Sequence, residues 1–308
     1  MTYKRIQWTT IFIVLLIEFI WIKCSPVEFY YNAGKCFSLI LVIVFLYIMY
    51  IFYSKLRPDP KIGMALLSTL FLIICTALLL VLSYLAYTTN LPFVDSTLAA
   101  MDGYMGFSSP EIVLMFRNYP WLYIIFSFIY NCILFQSVVV ILYFSFIGEK
   151  IYLERFLMLF LISLLLTIFI GALLPAAGPY VWYNYSPSPE LQSALDRLYE
   201  IRNNIVNITK EDGIITVPSF HAIAAFIYIY TFRNEKKIIF IPILILNLLM
   251  VFSCLPIGQH YLTDIVAGAT VFALTLCIEQ LIFWSVNNHN EYLWMTFKKR
   301  KKQNYETR

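Results

Sequence analysis

Long apolar runs, separated by short polar or proline-containing breaks, set the pattern of this chain. Eight stretches qualify as membrane spans, roughly 8–23, 36–54, 62–88, 119–147, 155–174, 217–232, 238–255 and 262–286. A bilayer core is crossed by about 20 mostly apolar residues. Each run is expected to be helical, because backbone polar groups in lipid must be paired within their own segment. The pattern therefore predicts an all-α, polytopic membrane helical bundle of about eight transmembrane helices. One segment follows a different rule. In 190–205, Leu191, Leu195, Leu198, Ile201 and Ile205 recur at helical spacing among polar residues, which predicts a short amphipathic helix on the membrane surface.

Composition agrees with this reading. The chain is 61% hydrophobic and 13% charged, with mean hydropathy +0.76, far from the balance of a soluble domain. The N-terminus has a basic start and an apolar centre, like a signal peptide. It lacks a small-x-small cleavage site and carries Glu18 and Trp21, so it reads as a retained span. Charge adds the orientation. With both termini cytoplasmic, only Lys23, Lys35, Arg117, Arg197, Arg202 and Lys210 of the 22 basic residues fall outside, as the positive-inside rule requires. The run Lys298–Lys302 is then a juxtamembrane anchor rather than a nucleic-acid site. Two long loops, 89–118 and 175–216, lie outside, and long connections commonly carry function. Asn207 heads an N-I-T glycosylation sequon, relevant only in a eukaryotic host. The six cysteines lack metal-site spacing and read as small buried hydrophobes; Cys24 and Cys36 could pair in the first external loop.

Candidate chemistry gathers near the ends of the last three spans. His289 sits in a polar stretch after the final span and reads as a solvated interface residue. In "TVPSFHAIAAF", Pro218 fits a helix start, which places Ser219 and His221 in the first turn. That turn is either a phosphate cradle or a capped helix start with an incidental histidine. In "GQHYLTDIVAG", His260 and Asp264 lie four apart and share a helical face. The pair either closes a helix structurally or orients a reactive imidazole. Topology brings His221 and His260 to the external end of one helical hairpin, level with Pro175 and Pro179. Two histidines and an aspartate could supply a nucleophile, an acid and an orienting group. Tyr180, Trp182, Tyr183 and Tyr185 crowd the same level as an aromatic belt or a headgroup pocket.

"PSFH" followed some forty residues later by "GQHYLTDIVAG" resembles the second and third motifs of the type 2 phosphatidic acid phosphatase superfamily. The resemblance implies a six-helix lipid phosphatase/phosphotransferase core over 62–286, two extra N-terminal helices in 1–61 and a basic cytoplasmic tail in 287–308. It implies that His260 is a nucleophile forming a phosphohistidine, that Asp264 orients it, that His221 protonates the leaving group and that Ser219 helps hold the phosphate. No metal or cofactor is implied. The first motif of the phosphatase branch carries a lysine and an Arg-Pro, where this chain has "LLPAAGPY". The third motif has an arginine six residues before its histidine, where this chain has Cys254. A phosphoryl transition state needs its charge neutralised, and Arg202 is the expected substitute, ahead of Lys210 and Arg197. These departures look more like the branch of inositol phosphorylceramide synthase and its bacterial relatives. That implies headgroup transfer or hydrolysis on a phospholipid, at the extracytoplasmic face of a bacterial plasma membrane. The alternatives are a lipid-binding or transport protein and a catalytically inactive member of the fold.

Overall fold

The computed structural model describes residues 2–209 and 213–306, the side chains of 286–306 excepted. Lys210 and the side chains of His289 and of the Lys298–Lys302 run lie outside the described residues. Helix follows helix. α1 (Tyr3–Cys24) and α2 (Ala33–Ile51) each pack on the third helix, and α2 ends in a π-helical turn, Phe52–Leu56. Next come α3 (Pro60–Tyr87), α4 (Asp95–Tyr104), α5 (Ser109–Arg117), α6 (Pro120–Tyr130), α7 (Ile133–Ile147) and α8 (Lys150–Leu173). The remainder comprises α9 (Pro179–Trp182), α10 (Pro189–Arg202), α11 (Phe220–Phe232), α12 (Lys237–Ser253) and α13 (Leu262–Glu306). Among the described residues, α1, α2 with its π turn, α3, α8 and α13 over Leu262–Ser285 are long and apolar enough to cross a bilayer. The pair α5–α6, bent by 115°, would make a sixth. The other predicted spans hold shorter apolar helices: α7, α11 and α12.

Burial separates protein-facing from lipid-facing surface. α8 is apolar around its whole circumference, the mark of a helix enclosed by others, and it packs against α3, α11 and α13. Its Phe156, Leu157, Met158, Leu159, Phe160 and Leu161 are all buried. α2 has no buried residue and leans on α3. Large side chains such as Phe19, Phe45, Phe128, Phe135 and Phe169 point outward with more than half their surface free. In water such a surface would drive aggregation; in a bilayer it is the solvent-matched face.

Three details depart from the sequence reading. The run 119–147 is not one helix but two, α6 and α7, divided by a turn at 131–132. The amphipathic segment ends at Arg202, because Asn204 takes a left-handed conformation at φ 63°. Its Leu191, Leu198 and Ile201 are buried, the latter two against Tyr84, Tyr87 and Val206, so α10 presents its apolar stripe to protein rather than to lipid. Ile205 belongs instead to strand β2 (Ile205–Asn207), which pairs in parallel with β1 (Glu28–Tyr30), Glu28 opposite Ile205. Lys35 Nζ adds a bond to the Thr209 carbonyl at 2.6 Å. The first loop and the long loop after α8 thus meet at the same end of the bundle, as the alternating topology demands. Cys24 and Cys36 are not bonded to each other.

Candidate active site

The site is built where α11 and α13 begin. Ser219 is the N-cap of α11, its hydroxyl accepting from the Ala222 amide at 3.4 Å. The cap stabilises the start of a helix whose first amides lack internal partners. Pro218 lies one residue ahead of the cap, not inside the helix. His221 is the second helical residue. The amide of Ser219 donates to the Asp264 carbonyl at 3.1 Å, tying the two helix starts together. Gly268 permits the close approach: a Cβ there would lie 2.9 Å from the Ser219 carbonyl oxygen and 3.2 Å from the Ala222 Cβ.

His260 is buried one residue before Tyr261, which heads α13. Its Nδ1 is 2.8 Å from the Thr216 carbonyl. A carbonyl only accepts, so Nδ1 carries the proton and Nε2 keeps its lone pair when the ring is neutral. Asp264 Oδ2 stands 3.5 Å from the same Nδ1 and accepts instead from the Tyr261 amide at 2.9 Å. The backbone carbonyl fixes the tautomer, and the carboxylate supplies charge beside it. The ring centroids of His221 and His260 are 6.1 Å apart.

Tyr130, at the end of α6, joins them. Its ring stacks on His221 with centroids 3.5 Å apart and planes 18° from parallel. Its hydroxyl donates to Gln259 Oε1 at 2.7 Å and lies 3.2 Å from His260 Nε2. The turn at 131–132 is what brings Tyr130 here.

Two aspartates hold the frame. Asp102 accepts from the Leu262 and Thr263 amides at 2.9 and 2.8 Å and from the Thr263 hydroxyl at 2.7 Å, capping α13 from α4. Asp95 accepts from the Ala177 and Gly178 amides and from the Tyr261 hydroxyl. Burial first, and the adjacent Asp95 second, hold the Tyr261 hydroxyl well above the usual phenol range, so it stays a donor. Tyr185 Oη donates to the Gly258 carbonyl at 2.9 Å. Gly258 has φ 83°, and a Cβ there would lie 2.9 Å from that hydroxyl. Trp182 remains half exposed.

His221, His260, Tyr130 and Gln259 line a cavity of about 210 Å³. The rest of its lining is largely apolar, including Leu79 and Leu80 of α3, Leu134 of α7 and Leu164 and Ile168 of α8. No lysine or arginine is among the described lining residues. Arg202 stands apart: it donates to the Leu91 carbonyl at 2.8 Å and covers the Phe93 ring at 4.1 Å. Arg197 pairs with Glu200 on α10. Cys254 is fully buried, its Sγ 3.7 Å from Ser219 Oγ. Among the described residues no group of three or more His, Cys, Asp or Glu could hold a metal ion.

The structure therefore brings Ser219, His221, His260 and Asp264 together and leaves Arg202 outside. Sequence reasoning missed Tyr130, Thr216, Gln259, Asp95 and Asp102. The aspartates had a signal: two carboxylates seven residues apart, on one helical face of a loop otherwise poor in charge.

Bundle and site together define a polytopic membrane protein with paired histidines over an apolar cavity. The chain belongs to the type 2 phosphatidic acid phosphatase (PAP2) superfamily, whose model it matches over residues 96–278. No curated protein and no solved structure matches it. Membership supports a phosphatase-type function on lipid phosphates in general terms. The match begins within α4, whereas the sequence reading started the core at residue 62.

Proposed function

We propose that the protein is a phosphatase or phosphotransferase acting on a phospholipid through a phosphohistidine on His260, with the site at the extracytoplasmic face. The observation that carries this is the imidazole pair: the Thr216 carbonyl accepts a hydrogen bond from His260 Nδ1, and the His221 ring centroid lies 6.1 Å away, both rings lining an apolar cavity. His260 Nε2 attacks phosphorus, forming an N–P bond as the P–O bond to the leaving group breaks. His221 passes its proton to the departing oxygen. Water or a lipid alcohol then attacks the phosphohistidine, breaking the N–P bond and returning its proton to His221. Asp264, beside Nδ1, stabilises the charge on the His260 ring. Ser219 and the first turn of α11 cradle the phosphate oxygens. The apolar wall below the histidines suits an acyl chain or diacylglycerol body.

The absence of a described cation in the cavity bears on the substrate. A phosphomonoester brings up to two negative charges and a phosphodiester one. A site that depends on helix amides and histidines suits the smaller charge, which favours headgroup transfer or hydrolysis on a phosphodiester over plain dephosphorylation. The same absence also favours a second reading, a catalytically inactive member of the fold. We place the six-helix core at 62–286, with α3 included because Thr76, Leu79, Leu80 and Ser83 line the cavity.

The test is incubation of purified protein with labelled phospholipids, with and without inositol, diacylglycerol and ceramide. A water-soluble phosphate or headgroup phosphate means hydrolysis, and a new lipid means transfer. Acid-labile, base-stable label should remain on the wild-type protein and vanish in His260→Ala. A folded protein giving neither product nor labelled enzyme across the panel would establish the inactive reading.

A further inference from the structure

The largest cavity described lies at the other end of the bundle. It encloses about 620 Å³ between the N-terminal turns of α1, α3 and α8 and the π-helical turn after α2. The two linings share no residue; on α3 they come nearest at Phe71 and Thr76, about 7.5 Å along the helix at 1.5 Å per residue, and Lys61 and Ser83 lie at their far ends. Nothing assigned to the histidine site reaches it.

Its rim is cationic. Lys4, Lys61 and Lys150 all line it. Each occupies the first turn of a helix, where the macrodipole disfavours cations. An excess of lysine at this end of the spans follows from membrane orientation, but that bias does not require three lysines from three helices to share one cavity. Two carboxylates share the lining, which leaves the three lysines with an excess of one positive charge. Asp59 caps α3 through the Lys61 and Ile62 amides at 2.9 and 3.1 Å, and Glu154 lies 3.5 Å from Lys150 Nζ. The inner wall changes character: Trp8, Phe71, Leu67 and Leu157 form an apolar floor. Tyr50 and Tyr53 stand at the level of the lysines, with Lys4 Nζ 5.7 Å from the Tyr50 ring centroid.

We propose that this cavity binds an anionic phospholipid, its headgroup phosphate among Lys4, Lys61 and Lys150 and its acyl portion on the Trp8–Phe71 wall. Charge complementarity selects the anion. The graded wall, cationic and aromatic at the rim and apolar within, selects an amphiphile over a soluble phosphate, as in basic pockets between transmembrane helices. The bound lipid would bridge α1 and the π turn after α2 to α3 and α8, away from the histidines.

The experiment uses the full-length protein in nanodiscs of phosphatidylcholine, with phosphatidylglycerol titrated in and the melting temperature and bound lipid followed, the latter by native mass spectrometry. Wild type should retain phosphatidylglycerol selectively and melt higher with it. Lys4→Gln/Lys61→Gln/Lys150→Gln should bind it roughly a hundredfold more weakly, taking about fivefold per lysine near a headgroup. Its melting temperature in pure phosphatidylcholine and its catalytic turnover should match wild type. Should the triple variant fail to fold, Lys61→Gln alone should still lose about fivefold. Replacing Lys298–Lys302 with glutamine should leave the retained lipid in place. Equal binding by wild type and the lysine variants, or no preference for phosphatidylglycerol over phosphatidylcholine in wild type, would overturn the proposal. So would loss of the retained lipid on changing the tail alone.

Discussion

Asp102 is the sharpest test of how the site is held. It is fully buried on α4, yet its three hydrogen bonds all serve the first turn of α13. Replacing it with alanine leaves two backbone donors and one hydroxyl unpaired where water is scarce. Loss of a helix cap costs about 0.5–2 kcal/mol. Loss of a carboxylate from a helix N-terminus adds about 0.3–1 kcal/mol, more when partly buried. Added at the upper ends of these ranges, which the full burial of Asp102 warrants, they give about 3 kcal/mol for local opening of the turn. In amide exchange that is about a hundredfold faster exchange at Leu262 and Thr263. Asp102→Asn keeps one acceptor oxygen and should show about half the free-energy effect, roughly tenfold. Exchange in the middle of α11 should not change. Turnover should fall with Asp102→Ala, because Asp264 and His260 flank the loosened turn. A folded Asp102→Ala protein with wild-type exchange at 262–263 would refute the claim that α4 sets the start of α13.

Two further perturbations probe the histidines directly. Tyr130→Phe keeps the ring on His221 and removes the hydroxyl from Gln259 and His260; it should remain folded and lose about tenfold in kcat, in the range of one lost hydrogen bond to a charged group. Unchanged kcat across the pH range would reduce Tyr130 to a packing role. Gly268→Ala should push α11 away from α13, because its Cβ meets the Ser219 carbonyl at 2.9 Å; overpacking of this kind costs about 1–3 kcal/mol, read as a lower melting temperature with reduced turnover. Gly103→Ala, where a Cβ meets nothing within 4 Å, is the control and should melt at or above wild type.

Much of the architecture was legible because lipid leaves the backbone few choices. A long apolar run must become a helix, so runs such as 62–88 and 155–174 translated directly into α3 and α8. The motif residues were legible for a related reason: ionisable groups are rare in such runs, so His221, His260 and Asp264 stood out. What escaped was tertiary. Nothing in the apolar stretch around Asn131 marks a break, as it lacks proline and glycine, and without the break Tyr130 reads as a lipid-facing residue. Amphipathicity gave α10 its helix but not its partner, because an apolar stripe satisfies a membrane surface and a protein surface alike. The His260–Asp264 spacing suggested that the aspartate orients the ring, whereas the Thr216 carbonyl, which no side-chain pattern reveals, accepts the Nδ1 hydrogen bond.

Cys254 shows how the packing narrows the chemistry. At the position where the phosphatase pattern carries an arginine, this chain has a fully buried thiol among Tyr130, Ala222, Leu255, Ile257 and Ile265. A guanidinium could not enter that cluster without displacing several of these side chains or leaving a charge unpaired in an apolar setting. In the proposed reaction, a phosphate would therefore find no clamp at the end of α12. Under the proposed function its charge would be met from the α11 side, by Ser219, the helix amides and His221. Arg202 is not among the described residues that line the cavity, and its guanidinium is committed to Leu91 and Phe93. Under the proposed function, a cradle of amides and histidines would suit a singly charged phosphodiester better than a dianion, which would tie the substrate preference to one closed position in the core.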